Sequence, residues 1–519
     1  MKTGIVLAGG LISLFCISSA RLSQGVLLLM VLAAMPLRIW STAHATESGT
    51  WHPLNNPICT GAQPCFSPSA PLLLTDGTVI MHDQCGSRWF RLTPDINGSY
   101  VNGTWSQIAS LPAGYQPLYF ASQVLPDGRV IINGGEYNSC VAVWTTMGAL
   151  YDPLGNTWTM VAPPSDWSSI GDAQSIVLPN GQYMLASCCT KQQAILDLTN
   201  MTWTSTGSNK ADSNAEEGWT LLGDGSVLTV DANNPTNLTN SERYLPSTGS
   251  WLSAGSTIVK LDDTNADNSG SHEMGPQVLR PDGTVFAAGA TGATAVYHPV
   301  TEVSPAFWSV GPSFPDVMGQ GQLDVADGPA ALLPDGNVLV ESSPGVFNTP
   351  VHFFEFDGST LTEVAVPTDA QIQSSFQGNL LVLPTGEMLF TGYPQIIEIY
   401  SPAGTFREPW RPTIEQGPAT LVHGQNYQVY GRLFNGRSSG SAYGDDYQGA
   451  TNYPLVRITN LATRHVFYCR TFNPNSITPT NNGRVHTNFT VPSGIELGNS
   501  RLEVVTNGIP SKAKAVLVK

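Results

Sequence analysis

The chain has 519 residues, a formal net charge of −16, 12% charged side chains, 51 Gly and 38 Pro. That length exceeds one ordinary domain unless the fold is a repeat array, and so much Gly and Pro with so few charges favours short strands and tight turns over helices. The acidic balance excludes nucleic acid as a partner, because phosphate binding needs clustered Lys and Arg; it fits a soluble protein and would suit a bound cation.

The first predicted element is an export leader. Lys2 and Arg21 supply positive charge, Gly25 to Met35 is an apolar run, and Ala43-His44-Ala45 is a small-x-small cleavage pattern. Residues 1–45 are expected to be removed, leaving a secreted chain, extracellular or periplasmic; an uncleaved membrane anchor is the alternative. No later stretch approaches the ~20 apolar residues of a spanning helix. Beyond Ala45 the sequence holds seven cysteines. In an exported chain most should be oxidised. Cys59 and Cys65 would close a short loop. Cys85, Cys140, Cys188 and Cys189 follow equivalent strands of adjacent repeats, so disulfides among them are expected, with a soft-metal site as the alternative.

Next comes a pattern repeated seven times: an apolar strand, a tight turn, and a second apolar strand. Its instances run from LLLTDGTVIM through QVLPDGRVII to LVLPTGEMLF, with turn glycines at Gly77, Gly128, Gly181, Gly225, Gly283, Gly336 and Gly386. Pro presets the first turn angle and Gly accepts the positive φ that follows. A period near ~50 residues is the kelch signature. A second strand pair follows each hairpin, its last strand marked by Trp105, Trp158, Trp203, Trp251 or Trp308, which are expected to pack between blades. The seventh unit stops after its third strand, so the strand around Trp51 is expected to pair with Ile396 to Tyr400 and close the ring. Residues 407–519 then show short alternating strands that suit an immunoglobulin-like sandwich. Within them, the loop SAYGDDYQGATNYP carries Tyr443, Asp445, Asp446 and Tyr447, fit either to bind carbohydrate or Ca²⁺ or to pack against the preceding domain.

An export leader, seven kelch-like units and a C-terminal sandwich resemble the galactose oxidase and glyoxal oxidase family. The resemblance implies an all-β chain: a seven-bladed kelch-type β-propeller over 46–406, followed by an immunoglobulin-like β-sandwich over 407–519. It also implies copper radical chemistry built on a Cys–Tyr cross-link, a second Tyr with an adjacent His, and a His from the sandwich. Carried over residue by residue, Tyr119 stands nine residues before Gly128, where the cross-linked Tyr would be, and His465 resembles the sandwich His. Cys65 is the candidate Cys, twelve residues before Gly77. The Tyr-His pair is missing: the fifth unit offers His272-Glu273 without Tyr, and the seventh offers Ser375-Phe376-Gln377-Gly378.

The segment before each hairpin should line the mouth of a propeller. There the chain carries Asp172, Glu217, Glu273, Asp327 and Gln377. These could hold Ca²⁺, sugar hydroxyls or a cationic group, or supply a general acid and base; alternatively each accepts hydrogen bonds from its own blade. The expectation is a secreted, monomeric propeller that binds a glycan or cell-surface ligand, with no cofactor required and with copper or calcium as candidate ions. The alternatives are a divergent copper radical oxidase of primary alcohols or aldehydes, and a carboxylate-dependent hydrolase.

Overall fold

Each repeated turn is closed by the same small set of contacts. In the first, the Leu74 amide donates to the Thr78 carbonyl at 2.7 Å, the Gly77 amide to the Leu74 carbonyl at 3.0 Å, and the Thr78 amide to Asp76 Oδ1 at 3.0 Å. All seven turn glycines take a positive φ, from 78° at Gly77 to 94° at Gly336. This is the three-residue hairpin loop that ends in a left-handed residue, which is why Asp or Asn so often precedes Gly here.

The computed structural model describes residues 48–263, 271–368 and 370–519; the leader expected over 1–45 lies outside them. The described residues include seven antiparallel sheets of four repeat strands each. We number these blades 1 to 7 by their turn glycines. Blade 1 runs Pro68–Leu73, Val79–Asp83, Trp89–Thr93, Thr104–Gln107. In blade 7 the strands Asn379–Val382, Met388–Gly392 and Ile396–Ser401 are completed by Thr50–Pro53, with Trp51 opposite Tyr400. The start of the described chain is thus tied into the last blade. Innermost strands of neighbouring blades also bond directly, as from Gln123 Nε2 to the Ser175 carbonyl at 2.9 Å and from Thr220 Oγ1 to the Gln277 carbonyl at 2.7 Å.

The fourth-strand tryptophans pack as their periodicity suggests. Trp158, Trp251, Trp308 and Trp51 each face a buried third-strand tyrosine: Tyr151, Tyr244, Tyr297 and Tyr400. Each indole also reaches back to the preceding blade. Trp158 donates to the Ala109 carbonyl at 3.0 Å, Trp203 to Ala162 at 2.8 Å, and Trp308 to Ser241 Oγ at 2.9 Å.

Residues 413–518 form two further sheets that share a core including Val429, Phe489, Val456 and Leu502. One short strand, Ser441–Ala442, leaves them and adds a fifth strand to blade 6, opposite Ala331 and Ala330. Two disulfides are present, Cys59–Cys65 and Cys85–Cys140, while Cys188 is buried and free and Cys189 is exposed and free. A four-thiol metal site is therefore ruled out, because two of its four sulfurs are bonded to each other. Among the described residues no helix is long and apolar enough to cross a membrane.

Candidate functional site

The segment from Ser441 to Tyr453 plugs the axis of the ring. Its tyrosines are buried yet hydrogen-bonded, as buried phenols require. Tyr447 Oη donates to the Pro71 carbonyl of blade 1 at 2.6 Å, Tyr443 Oη to the Phe376 carbonyl ahead of blade 7 at 2.6 Å, and Tyr453 Oη to the Leu73 carbonyl. The Phe120 amide of blade 2 donates to Asp446 Oδ2 at 2.9 Å. Gly444 has no room for a side chain: a Cβ there would lie 2.6 Å from the Met274 carbonyl oxygen of blade 5. A Cβ on Gly218 of blade 4 would in turn lie 2.3 Å from the Gly444 oxygen. The loop is thereby enclosed by blades on every side.

Above the plug lies a cavity of about 290 Å³. Blades 2 to 6 contribute Glu136, Asp172, Glu216, Glu273 and Asp327 in turn, and the plug adds Asp445 and Asp446. Its walls are aromatic, with Tyr119, Tyr137, Tyr443, Phe347 and Phe376. Seven carboxylates converge, and among the described residues no basic side chain joins the lining. A wider cleft of about 570 Å³ opens beside it and shares Glu216, Glu273 and Phe347.

Crowding and burial set the protonation of this cavity. Burial first, then neighbouring carboxylates, pushes Glu136 up to about 7. Asp446 is raised to about 7 by burial and by Asp172, against the Phe120 amide that favours its charged form. Burial drives Glu216, Asp327 and Asp445 well above the usual carboxylate range. Tyr119, which enters at φ 50°, is pushed far upward by burial and then by Asp446 and Asp327, so its phenol stays protonated.

The structure gathers Tyr119, Asp172, Glu273, Asp327, Asp445 and Asp446 in one lining and leaves four expected residues out of it. Glu217 turns the other way: it is fully buried and bonds Lys210 Nζ at 3.1 Å, and its neighbour Glu216 takes the place at the cavity. Gln377 ends a short 3-10 turn, where its Oε1 accepts the Ser374 amide at 3.2 Å, and it lines a smaller void beside Tyr119. His272 lines the adjoining cleft, its Nδ1 at 3.2 Å from the Ala232 carbonyl. His465 does not join Tyr119, for its Nδ1 pairs with Glu496 at 2.6 Å beside the contact between Val466 and Ile96.

Glu216 was nevertheless recoverable. Tyr119, Asp172, Asp327 and Gln377 each stand nine residues before their turn glycine, and in blade 4 that register selects Glu216, not Glu217. Glu136, Tyr137, Phe347 and Phe376 carry no such signal, since they lie off that nine-residue register and their placement is set by tertiary packing.

These residues do not fit a copper radical centre. The cavity offers carboxylates and phenols where copper would need imidazoles. Cys65, the candidate for a thioether to Tyr119, is bonded to Cys59.

The sheet topology and the hairpin repeat define an all-β propeller protein built of four-stranded blades. Over 86 residues, 16% of the chain and 18% of the relative, it is 29% identical to the kelch-like protein terF of Aspergillus terreus. The chain therefore matches under a fifth of that relative's length. No known protein-family profile matches. A fungal alcohol oxidase of the AA5 family in complex with copper is 14% identical, with 91% of this chain and 99% of that one covered and a TM-score of 0.49. A streptogramin B lyase is 12% identical over 69% of this chain and all of its own, with a TM-score of 0.47. An extracellular domain of a hybrid two-component system from B. thetaiotaomicron is 11% identical over 91% of this chain and 59% of its own, with a TM-score of 0.46.

Proposed function

We propose that this chain is an exported binding protein that takes a hydroxyl-rich ligand, a glycan, in its axial cavity. The observation that carries the reading is the joining of carboxylates to aromatic walls in one concave site. Carboxylate oxygens accept hydrogen bonds from sugar hydroxyls, and aromatic rings cover the apolar C–H faces of a pyranose. The volume is at the small end for ligand pockets and suits one sugar unit, while the adjoining cleft offers room for the next. Phe347, 69% exposed at the boundary of the two spaces and edge-on to Phe376 with ring centres 5.2 Å apart, is placed to meet such a chain. Two disulfides support an oxidising compartment.

The test is a panel of immobilised neutral oligosaccharides probed with the purified chain and with Phe347→Ala. Binding that weakens about tenfold or more in the variant is expected, the scale of losing one stacked ring. Absence of binding across the panel would count against the glycan reading. Peroxide release from primary alcohols by copper-loaded protein, lost in Tyr119→Phe, would restore the oxidase reading.

A further inference from the structure

The chain contains a second cluster of buried acids, and its contrast with the axial one is informative. In blade 4, Asp212, Glu217, Asp231 and Glu242 surround Lys210, whose ammonium lies 3.1 Å from Glu217, 3.9 Å from Asp231 and 2.7 Å from Glu242. There the fold supplies its own cation. The axial lining includes none. Burying carboxylates without compensating charge is costly, and a cation from outside would relieve that cost for the axial set as Lys210 does for blade 4.

The oxygens fall into two groups. Asp172, Glu216 and Asp445 each place a carboxylate oxygen within 4.8 Å of the others, and so do Glu216, Glu273 and Asp327. Two oxygens on one calcium ion, each at about 2.3–2.6 Å, lie at most about 5 Å apart, so both groups have the spacing of a ligand set. Glu216 belongs to both. A separate observation points the same way: Asp172 Oδ1 is buried without a hydrogen-bond partner, in a residue only 8% exposed, and the Oδ1 atom of the half-buried Asp327 also lacks a hydrogen-bond partner. Such oxygens are rare in a folded protein and mark a missing partner. In the same groups, Asp445 uses one oxygen to accept the Asp446 amide and Glu273 one to accept the Ser271 hydroxyl, and each keeps a second oxygen.

We infer that the axial cavity binds two hard divalent cations of the calcium class, bridged by Glu216, one held by Asp172 and Asp445 and the other by Glu273 and Asp327. An all-oxygen donor set selects calcium over copper or zinc, which favour nitrogen and sulfur. Five carboxylates against two dications leave the ligand set near neutrality. This deepens the reading of the cavity as the ligand site, because calcium of this kind would present open positions to sugar hydroxyls.

The experiment uses the full exported chain, stripped with a chelator and given calcium alone, without sugar. Bound calcium is counted by elemental analysis after equilibrium dialysis, and terbium is the luminescent probe, sensitised by the nearby Tyr119, Tyr137 and Tyr443. The expected result is two ions per chain and a rise in the melting temperature. Glu216→Gln should lose both ions, while Asp172→Asn and Glu273→Gln each lose one, with circular dichroism confirming that the variants fold. No calcium bound by the wild type, one ion only, or two ions retained in Glu216→Gln would overturn the pair. Glycan binding by chelator-treated protein would leave the proposed function standing and overturn the claim that the calcium ions present positions to the sugar.

Discussion

Asp324 is 5% exposed ahead of the innermost strand of blade 6, with its Oδ1 accepting the Ala326 amide at 3.3 Å. Burial pushes its carboxyl up to about 7, and the backbone hydrogen bonds from Ala326 and Gly345 only partly oppose this. Between its unfolded value near 3.8 and about 7, the folded chain keeps a proton that the unfolded chain has lost. Its contribution is therefore fully present below the lower value and disappears as pH rises through the upper one. Asp324→Asn should flatten this part of the decline. Urea midpoints measured at about pH 4 and about pH 7.5 check it: the variant should lose less stability across that interval, by up to about 4 kcal/mol for a shift of this size. An unchanged slope would show that Asp324 does not hold the proton. Residue-level legibility was uneven for a physical reason. The register that places Asp172 and Asp327 at the mouth is local and survives in sequence. The same register selects Glu216 in blade 4, whereas the partner that claims Glu217, Lys210 seven residues upstream of it, follows from tertiary packing and leaves no such trace.

The hairpins were the most readable elements, because a turn that needs Asp and then Gly writes its requirement into adjacent residues. The tryptophan strands were readable as a period, and their partners became clear only in three dimensions. Trp251 is 1% exposed, faces Tyr244 with ring centres 5.5 Å apart, and lies 5.4 Å from the Lys210 ammonium. It therefore seals the blade 4 charge cluster as well as the gap toward blade 3, where its Nε1 meets Gln193 Oε1 at 3.4 Å. Trp251→Ala should cost about 3–5 kcal/mol, the usual scale for emptying a buried aromatic site. Thermal and urea denaturation should show a single, earlier transition. A loss below about 1 kcal/mol would mean that the neighbouring blades collapse into the space.

At the scale of the whole molecule, a division of the chain at residue 406 conceals a dependence. The C-terminal segment supplies the fifth strand of blade 6, two of the cavity carboxylates, and the tyrosine hydroxyls that satisfy carbonyls of blade 1. The sequence marks the loop with Asp445 and Asp446 as fit to bind or to pack against the preceding domain, but not the strand it adds or the carbonyls it meets, since the pairing of Ser122 with Tyr447 spans most of the chain and leaves no periodic trace. A chain ending at residue 406 would leave the Pro71 and Leu73 carbonyls without these partners, along with the apolar residues packed on Tyr443, Tyr447 and Tyr453 in the same core. Buried carbonyls deprived of donors cost on the order of 1–3 kcal/mol each. The truncated chain is expected to melt well below the full protein, or to accumulate only as aggregate. A milder version keeps the sandwich and changes only the contacts: Tyr447→Phe with Tyr453→Phe should lower the melting temperature while circular dichroism stays that of a β-protein. Both are read by thermal denaturation with light scattering. A soluble truncated chain with the melting temperature of the full protein would show that the ring closes without its plug.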